Sequence, residues 1–421
     1  MDPLERDYIA RWASTILGFP CIDYLSEETA STIFHELSRS EETLNPIRDT
    51  WGNWDWQYCA SQRKGLTYVP HVDQLLRSAL SRRVRGSNAT MWPANKKFAL
   101  VLTHDVDMVS ESAISLCGLR QCAACELVKP NSLLRKSLSL SRMSARYMSQ
   151  AFRDRLDDCL WHYEDWLKVE ESYGFRSTFY FFPSPVKKPA QWDCIYQFPD
   201  IVRFNGKRMT VREMMQSIHR AGWEIGVHGS YRSAFDGEVM KREKGCIEDA
   251  LGSRVTSVRQ HYLHYDVRIT PTLQGEAGLT TDSTQGFNRS IGFRAGTSFP
   301  YWCWDHVHQN PLRVLEIPLH IMDGSLFHPA ALEYDEEFAV RHALQLMDAV
   351  EAVGGCLTLL WHAEYLNRPK YRNSYKRLLD EAAQRGAWGC GAGELYEWWL
   401  NRETSVAMDH LRTASTASPS L

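Results

Sequence analysis

The chain has 421 residues, which at roughly 150 residues per domain is long enough for two domains or for one large barrel with an extension. Its 48 basic and 51 acidic residues give a net charge of −3, and 44% of the residues are hydrophobic. This ordinary globular composition excludes a coiled coil, a collagen, a disordered scaffold and a small disulfide-stapled domain. The near-neutral charge predicts no broad basic surface, so we expect no nucleic-acid partner.

The sequence gives few signs of export or of membrane insertion. No stretch approaches the ~20 apolar residues that span a bilayer, and the amino terminus MDPLERDYIA lacks the basic and apolar segments of a secretory signal. The 11 cysteines are scattered along the chain. Cys122 and Cys125 have CxxC spacing beside Cys117, but no second pair follows closely, so we expect incidental thiols. These features predict a cytoplasmic protein with reduced cysteines and no membrane span.

Composition divides the chain into three parts. Residues 1–95 are predicted to be a small α/β extension of unassigned role, with an amphipathic helix from Asp7 to Leu17. The polar segment SRRVRGSNATMWPANKK links this extension to the main domain, residues 96–405. Residues 406–421 are rich in Ser, Thr and Ala, a composition that predicts a disordered tail.

Helices and short apolar strands alternate along the main domain. In chain order, the pattern predicts strands at 98–104, 177–182, 223–228, 255–259, 280–282, 314–317 and 357–361. Helices are predicted up to Gly174, from the capping-box pair Thr210 and Glu213 to Gly222, at 238–251, from Thr270, and at 336–353, 374–385 and 394–401. Such alternation is typical of a parallel sheet, and about seven strands over about 300 residues suit an α/β barrel better than an open sheet.

Polar side chains follow several of these strands. Asp105 and Asp107 end the first strand and, being two residues apart, face the same side of an extended chain. His228, His261 and His362 end three other strands. Because the carboxyl ends of barrel strands meet at one rim, we expect these carboxylates and imidazoles to converge. Asp and neutral His are ligands of zinc and similar divalent ions, so the spacing favours a metal site.

The motifs that carry these residues resemble, in order, those of the polysaccharide deacetylases, the carbohydrate esterase family four and its relatives. They are THDVD, STFYFF, EIGVHGSYRS, VRQHYL and LLWH. The resemblance is closer to a bacterial branch whose first motif is HDVD and which also carries segments like DSTQGFNRSIGFRAGTSFP and LEIPLHIMDG. It covers about residues 96–400. The resemblance implies a distorted (β/α)₇ barrel and metal-dependent hydrolysis of an N-acetyl group on a sugar.

The resemblance also implies roles for individual residues. Asp105 matches the family's catalytic base, Arg259 matches the arginine that orients the base, and His362 matches the late histidine that acts as general acid. The family's first metal ligand follows the base directly, but Val106 stands there, so Asp107 is expected to take that role.

The second motif departs from the family pattern. His228 matches the first of two histidines four residues apart, but Arg232 stands at the second position. We expect His261, at the end of the next strand, to complete a metal set of Asp107, His228 and His261. Alternatively, the guanidinium of Arg232 occupies the place of the ion and neutralises the aspartates, which would make the barrel catalytically inactive.

The sequence therefore predicts a zinc-dependent hydrolase that removes an N-acyl group from a carbohydrate or glycan precursor. Two alternatives stay open: an inactive barrel that binds glycan, and a hydrolase of a C–N bond in a small amide. Trp302 and Trp304 are candidates for a sugar-stacking platform or, equally, for loop packing. The sequence specifies no oligomeric state.

Overall fold

The computed structural model of the chain describes residues 1–21, 25–80, 91–110, 132–153, 160, 162–183 and 193–416. Twelve strands lie within these ranges. They are β1 Phe98–Val106, β2 Thr178–Phe181, β3 Ile201–Phe204, β4 Lys207–Thr210, β5 Glu224–Gly229, β6 Ser257–Gln260, β7 Thr281–Asp282, β8 Tyr301–Asp305, β9 Asn310–Glu316, β10 Ile321–Met322, β11 Cys356–Leu360 and β12 Ala387–Cys390.

A curled, mostly parallel sheet forms the centre of the fold, with strand order β10-β11-β1-β2-β5-β6-β7-β9-β8. Neighbours along this order pair in parallel except β8 and β9, which pair antiparallel, and β12 pairs in parallel with β1. Every residue of β1 is buried, as expected for a strand covered on both faces. The predicted α/β class with a distorted barrel-type sheet is therefore confirmed, in the form of a half-barrel. The hairpin β3–β4 stands apart from this sheet.

Five helices precede β1 in the described chain: α1 Pro3–Leu17, α2 Glu27–Leu37, α3 Ser40–Leu44, α4 Ala60–Arg63 and α5 His71–Ala79. Nine helices of the described chain follow β1. They are α6 Leu133–Arg153, α7 Tyr163–Glu171, α8 Val211–Arg220, α9 Gly237–Leu251, α10 Thr270–Glu276, α11 Asp323–Phe327, α12 Glu336–Val353, α13 Pro369–Arg385 and α14 Ala392–Thr416. The predicted capping box is present at α8, where Thr210 and Glu213 bond each other's backbone.

The extension differs from the prediction in two ways. Its described residues form helices and an isolated bridge between Arg48 and Trp54, but no strand, so the predicted α/β character of this segment is wrong. It also shares a core with the sheet, in which α1 and α2 side chains pack with those of β1, β8 and β9. Period-2 alternation of apolar residues is absent from residues 1–80, and the strand prediction had no local support there.

Buried polar contacts attach the extension to the segment before β8. Asp73 of α5 accepts hydrogen bonds from the Thr297 hydroxyl and from both the backbone N–H and the hydroxyl of Ser298. Arg39 is 1% exposed and donates to Glu42 and to the carbonyl of Arg294. Because these groups are desolvated, each bond would leave an unpaired polar atom if the extension were displaced. The extension therefore acts as a structural part of the main domain.

The carboxyl end also differs from the expectation of a disordered tail from residue 406. Helix α14 continues to Thr416, since neither glycine nor proline interrupts the chain between residue 394 and that point. Residues 417–421 lie outside the described residues, as do Cys117, Cys122 and Cys125. Among the described residues, no helix combines the length and apolarity needed to cross a membrane.

A single buried carboxylate ties β1 to the helices behind it. Glu170 of α7 is fully buried, and its two oxygens lie 2.6 to 2.9 Å from donors on four side chains. These donors are His104, Ser177, Trp223 and Tyr375. The other ring nitrogen of His104 lies 2.8 Å from the carbonyl oxygen of Trp361. His104 therefore has a structural role, because its side chain faces away from Asp105.

We expect Glu170→Ala to lower the free energy of unfolding by about 3–5 kcal/mol, because four buried donors would lose their acceptor. The matched control is Glu171→Ala, which removes an exposed carboxylate paired with Arg176 and should cost less than about 1 kcal/mol. Urea denaturation of both variants measures the difference. Equal losses in the two variants would contradict the structural role of Glu170.

Candidate functional site

The ends of four strands of the parallel sheet, β1, β5, β6 and β11, bring the predicted site residues together. Asp105 lies in β1 and Asp107 directly after it, while His228 lies in β5. Arg259 lies in β6, and His261 follows that strand, whereas His362 follows β11 by two residues. Parallel strands end at the same edge of a sheet, so the order of the strands explains this convergence.

Four potential ligand atoms form a tight group at this edge. Atoms of Asp107, Cys194, His228 and His261 all lie within 4.8 Å of one another. Nε2 of His228 lies 3.1 Å from one Asp107 oxygen, and Nε2 of His261 lies 3.6 Å from the other. The three residues predicted as metal ligands are therefore adjacent in space.

The chemistry of this group suits a divalent cation. Nε2 of His228 is buried beside an Asp107 oxygen but makes no well-aligned hydrogen bond in the described structure, so this nitrogen is available to a ligand. The other ring nitrogen, Nδ1, lies 3.1 Å from the carbonyl oxygen of Arg259. A metal-binding histidine typically donates its second ring N–H to such an acceptor, which orients the ring.

Cys194 is the member of the group that the sequence did not predict. Its Sγ lies 3.8 Å from an Asp107 oxygen and 4.0 Å from Nε2 of His261. Burial, followed by the negative charge of Asp107, raises the pKa of its thiol well above the usual value, so a cation would be needed to hold a thiolate here. Cys194 follows none of the predicted strands, and its isolated position gave no signal of this contact.

Arg232 lies away from the group. Its guanidinium pairs with Asp236 at 2.9 Å, and its side chain is 74% exposed. The alternative in which Arg232 occupies the place of an ion is therefore wrong. Arg232 directly precedes a short helical turn. Its side chain extends along that turn because Asp236, four residues later, offers an ion-pair partner at the surface.

Asp105 is held by a buried arginine. NH1 of Arg259 lies 3.5 Å from an Asp105 oxygen, while Nε and NH2 of Arg259 donate to the carbonyl and hydroxyl of Ser283. Asp105 also lies 3.9 Å from Nε2 of His228. The guanidinium is fully buried, so the ion pair operates with little screening by solvent.

His362 is oriented by Asp323, a residue that the sequence analysis did not single out. Nδ1 of His362 lies 2.6 Å from an Asp323 oxygen, and the backbone N–H of His362 donates to the other oxygen. Burial disfavours a charged imidazole, but the Asp323 carboxylate outweighs it and raises the pKa of His362 well above its usual value. Nε2 faces Asp107 at 3.7 Å, so this nitrogen can carry a proton toward the site.

A further carboxyl lies near these groups. Glu364 is buried, and its Oε2 has no hydrogen-bond partner among the described residues. Burial, followed by the charge of Asp107, raises the pKa of Glu364 to about 8. Glu364 therefore adds no full negative charge to the site at neutral pH.

A cavity of about 310 Å³ opens onto this cluster. Its inner wall is formed by Asp105, Asp107, His261 and His362. The outer wall includes Trp51 from the extension and Arg289 from the segment after β7. This volume lies at the lower end of the usual range for small-molecule sites.

Comparisons with known proteins find relatives only among solved structures. No protein-family model matches the chain, and no curated protein is found to match it. A candidate polysaccharide deacetylase from Mycobacterium smegmatis is 18% identical, with a TM-score of 0.48, and the match covers 74% of this chain and 93% of that one. The Puue allantoinase is 17% identical, with a TM-score of 0.45 and coverages of 75% and 94%. A second candidate deacetylase, from Pseudomonas aeruginosa PAO1, is 18% identical, with a TM-score of 0.46 and coverages of 73% and 92%. Polysaccharide deacetylases are thus among the chain's structural neighbours.

Proposed function

We propose that this protein is a metal-dependent hydrolase that removes an N-acyl group from a carbohydrate or glycan precursor. One observation carries the proposal: four ligand-type atoms within 4.8 Å of one another lie beside a carboxylate held by Arg259 and an imidazole held by Asp323. Metal ligands, a base and an acid are the groups that metal-assisted amide hydrolysis requires.

Asp107, His228 and His261 would hold the ion, with Cys194 as a fourth donor. Imidazole, carboxylate and thiolate together favour zinc over magnesium or calcium. A bound zinc ion supplies Lewis-acid activation of water and of an amide carbonyl.

The chain's own residues perform the proton transfers. Asp105 accepts the proton of the attacking water, and the buried guanidinium of Arg259 holds Asp105 in place. His362 donates a proton from Nε2 to the departing amine, because the Asp323 carboxylate favours its charged form. Asp105 is therefore the base of the reaction and His362 is its acid.

The size of the cavity favours a second candidate, hydrolysis of a small non-sugar amide. A volume of about 310 Å³ accepts a small molecule or one sugar unit rather than several units of a polymer. The metal group, base and acid would be the same for either substrate. Release of acetate from N-acetylated sugars, compared with hydrolysis of small cyclic and linear amides, separates the two.

Metal binding gives the first test. We expect wild-type protein to bind about one zinc ion per chain, and His228→Ala or His261→Ala to weaken binding by roughly ten-fold or more, because a ligand is lost. Arg232→Ala serves as the control and should bind zinc as the wild type does, since Arg232 pairs at the surface. Titration against a fluorescent chelator measures each affinity. Folded wild-type protein that binds no divalent ion would refute the proposal.

The second test separates the base from the ligand. Asp105→Asn should retain the ion and lose turnover by about 100-fold or more, because the proton acceptor is removed. Asp107→Asn should lose both, because Asp107 contacts both histidines. Zinc content and acetate release are measured on the same preparations. If Asp105→Asn lost the ion while Asp107→Asn kept it, the two roles would be reversed.

A further inference from the structure

We propose that the substrate carries an oxyanion, a phosphate or carboxylate group, and that Arg289 binds it at the outer wall of the cavity. This inference rests on the proposed function and specifies the class of its substrate. The observation that carries it is an arginine that has no ion pair or hydrogen bond among the described residues and lines the same cavity as the metal group.

Arg289 has an unusual environment for a partly buried arginine. Within the described part of the chain it forms no ion pair and donates no hydrogen bond, and its Nε is buried without a partner. Its guanidinium carbon lies 4.5 Å from the centre of the Trp51 ring. A desolvated N–H without an acceptor costs free energy, which a ligand that supplies an acceptor would recover.

Both oxygens of the Asp49 carboxylate already accept hydrogen bonds. One oxygen of Asp49 accepts from the backbone N–H groups of Trp51 and Asn53, and the other accepts from the side-chain amide of Asn288. These bonds hold Asp49 on the loop, and neither of its oxygens forms an ion pair with Arg289. Trp51 is fixed in turn, since its carbonyl oxygen accepts a hydrogen bond from the Tyr231 hydroxyl.

The charges on the rest of the cavity wall indicate that the substrate supplies the partner of Arg289. Apart from Asp105 and Asp107 beside the metal group, Arg289 is the one permanently charged side chain among the residues that line the cavity in the described structure. The aspartates would face the bound cation, so Arg289 would supply the positive charge of the outer part of the cavity. An amide at the metal group and an oxyanion at Arg289 would then belong to a single small molecule. A guanidinium is suited to this contact because its N–H groups match the oxygens of phosphate and carboxylate.

Binding of four probes to the zinc-loaded protein tests the inference. The probes are N-acetylglucosamine, its 1-phosphate and 6-phosphate, and N-acetylmuramic acid, which carries a carboxylate. We expect at least one anionic probe to bind wild type about ten-fold or more tightly than the neutral sugar, and the preferred probe identifies the oxyanion and its position. Calorimetry measures each affinity.

Variants assign the preference to Arg289. Arg289→Gln should abolish the preference, so that the anionic probes bind no more tightly than N-acetylglucosamine, while Arg289→Lys should keep part of it because the charge remains. The matched control is Arg268→Gln, which removes an arginine that is 45% exposed and paired with Asp266, and it should bind all probes as wild type does. Unchanged zinc content shows that each variant is folded.

The outcomes separate this inference from the proposed function. A preference for anions that persists in Arg289→Gln, as expected if phosphate binds the zinc directly, would overturn the role of Arg289. Deacetylation of the neutral sugar with no anion preference in wild type would also overturn it and leave the proposed function standing. An Arg289-dependent preference without deacetylation of any probe would support the anion site and count against the proposed function.

Discussion

Two carboxylates at the end of one buried strand set the main constraint on this molecule. Asp105 is 3% exposed, and Asp107 lies two residues further on. Like charges so close together in a low-dielectric site repel unless cations face them. Residues of β5 and β6 and of the segment after β6 face these carboxylates: Arg259 faces Asp105, whereas the imidazoles of His228 and His261 face Asp107 and would hold a metal cation beside it. The division is chemical as well as electrostatic, because a guanidinium cannot bind a metal and an imidazole can.

The extension completes the site that the barrel strands begin. Its Trp51 forms part of the cavity wall and contacts Arg289, and its Asp73 holds the segment that leads into β8. The extension therefore contributes one aromatic side chain to a cavity wall that the main domain otherwise forms.

Much of the site could be predicted from the sequence because strand ends are visible in it. A predicted strand followed by His or Asp marks each of the β1, β5, β6 and β11 ends, and a parallel sheet places those ends at one edge. His261 follows this rule, and the structure places it beside Asp107. Arg232 does not follow it, since it lies three residues past Gly229, the end of β5, where the chain has already reached the surface.

The remaining parts of the site depend on contacts between distant segments. Cys194 and Asp323 follow no long apolar strand, and only the fold brings them to Asp107 and His362. The same reason applies to Trp304. It packs at 4.9 Å ring-centroid distance from Phe34 and 5.4 Å from Tyr8, so it is core packing against the extension and no sugar platform. From the sequence alone, a tryptophan pair that packs in the core cannot be distinguished from one that stacks on a sugar.

The absorption spectrum of the protein loaded with cobalt(II) tests the central claim most directly, because it reports ligands independently of activity. We expect the visible bands of five-coordinate cobalt, with four protein ligands and one position open to water, and a near-ultraviolet sulfur-to-cobalt band. Cys194→Ser should remove the sulfur band, and Cys246→Ser, which changes a partly exposed thiol outside the group, should keep it. A spectrum of hydrated cobalt, unaltered by folded protein, would contradict the metal site.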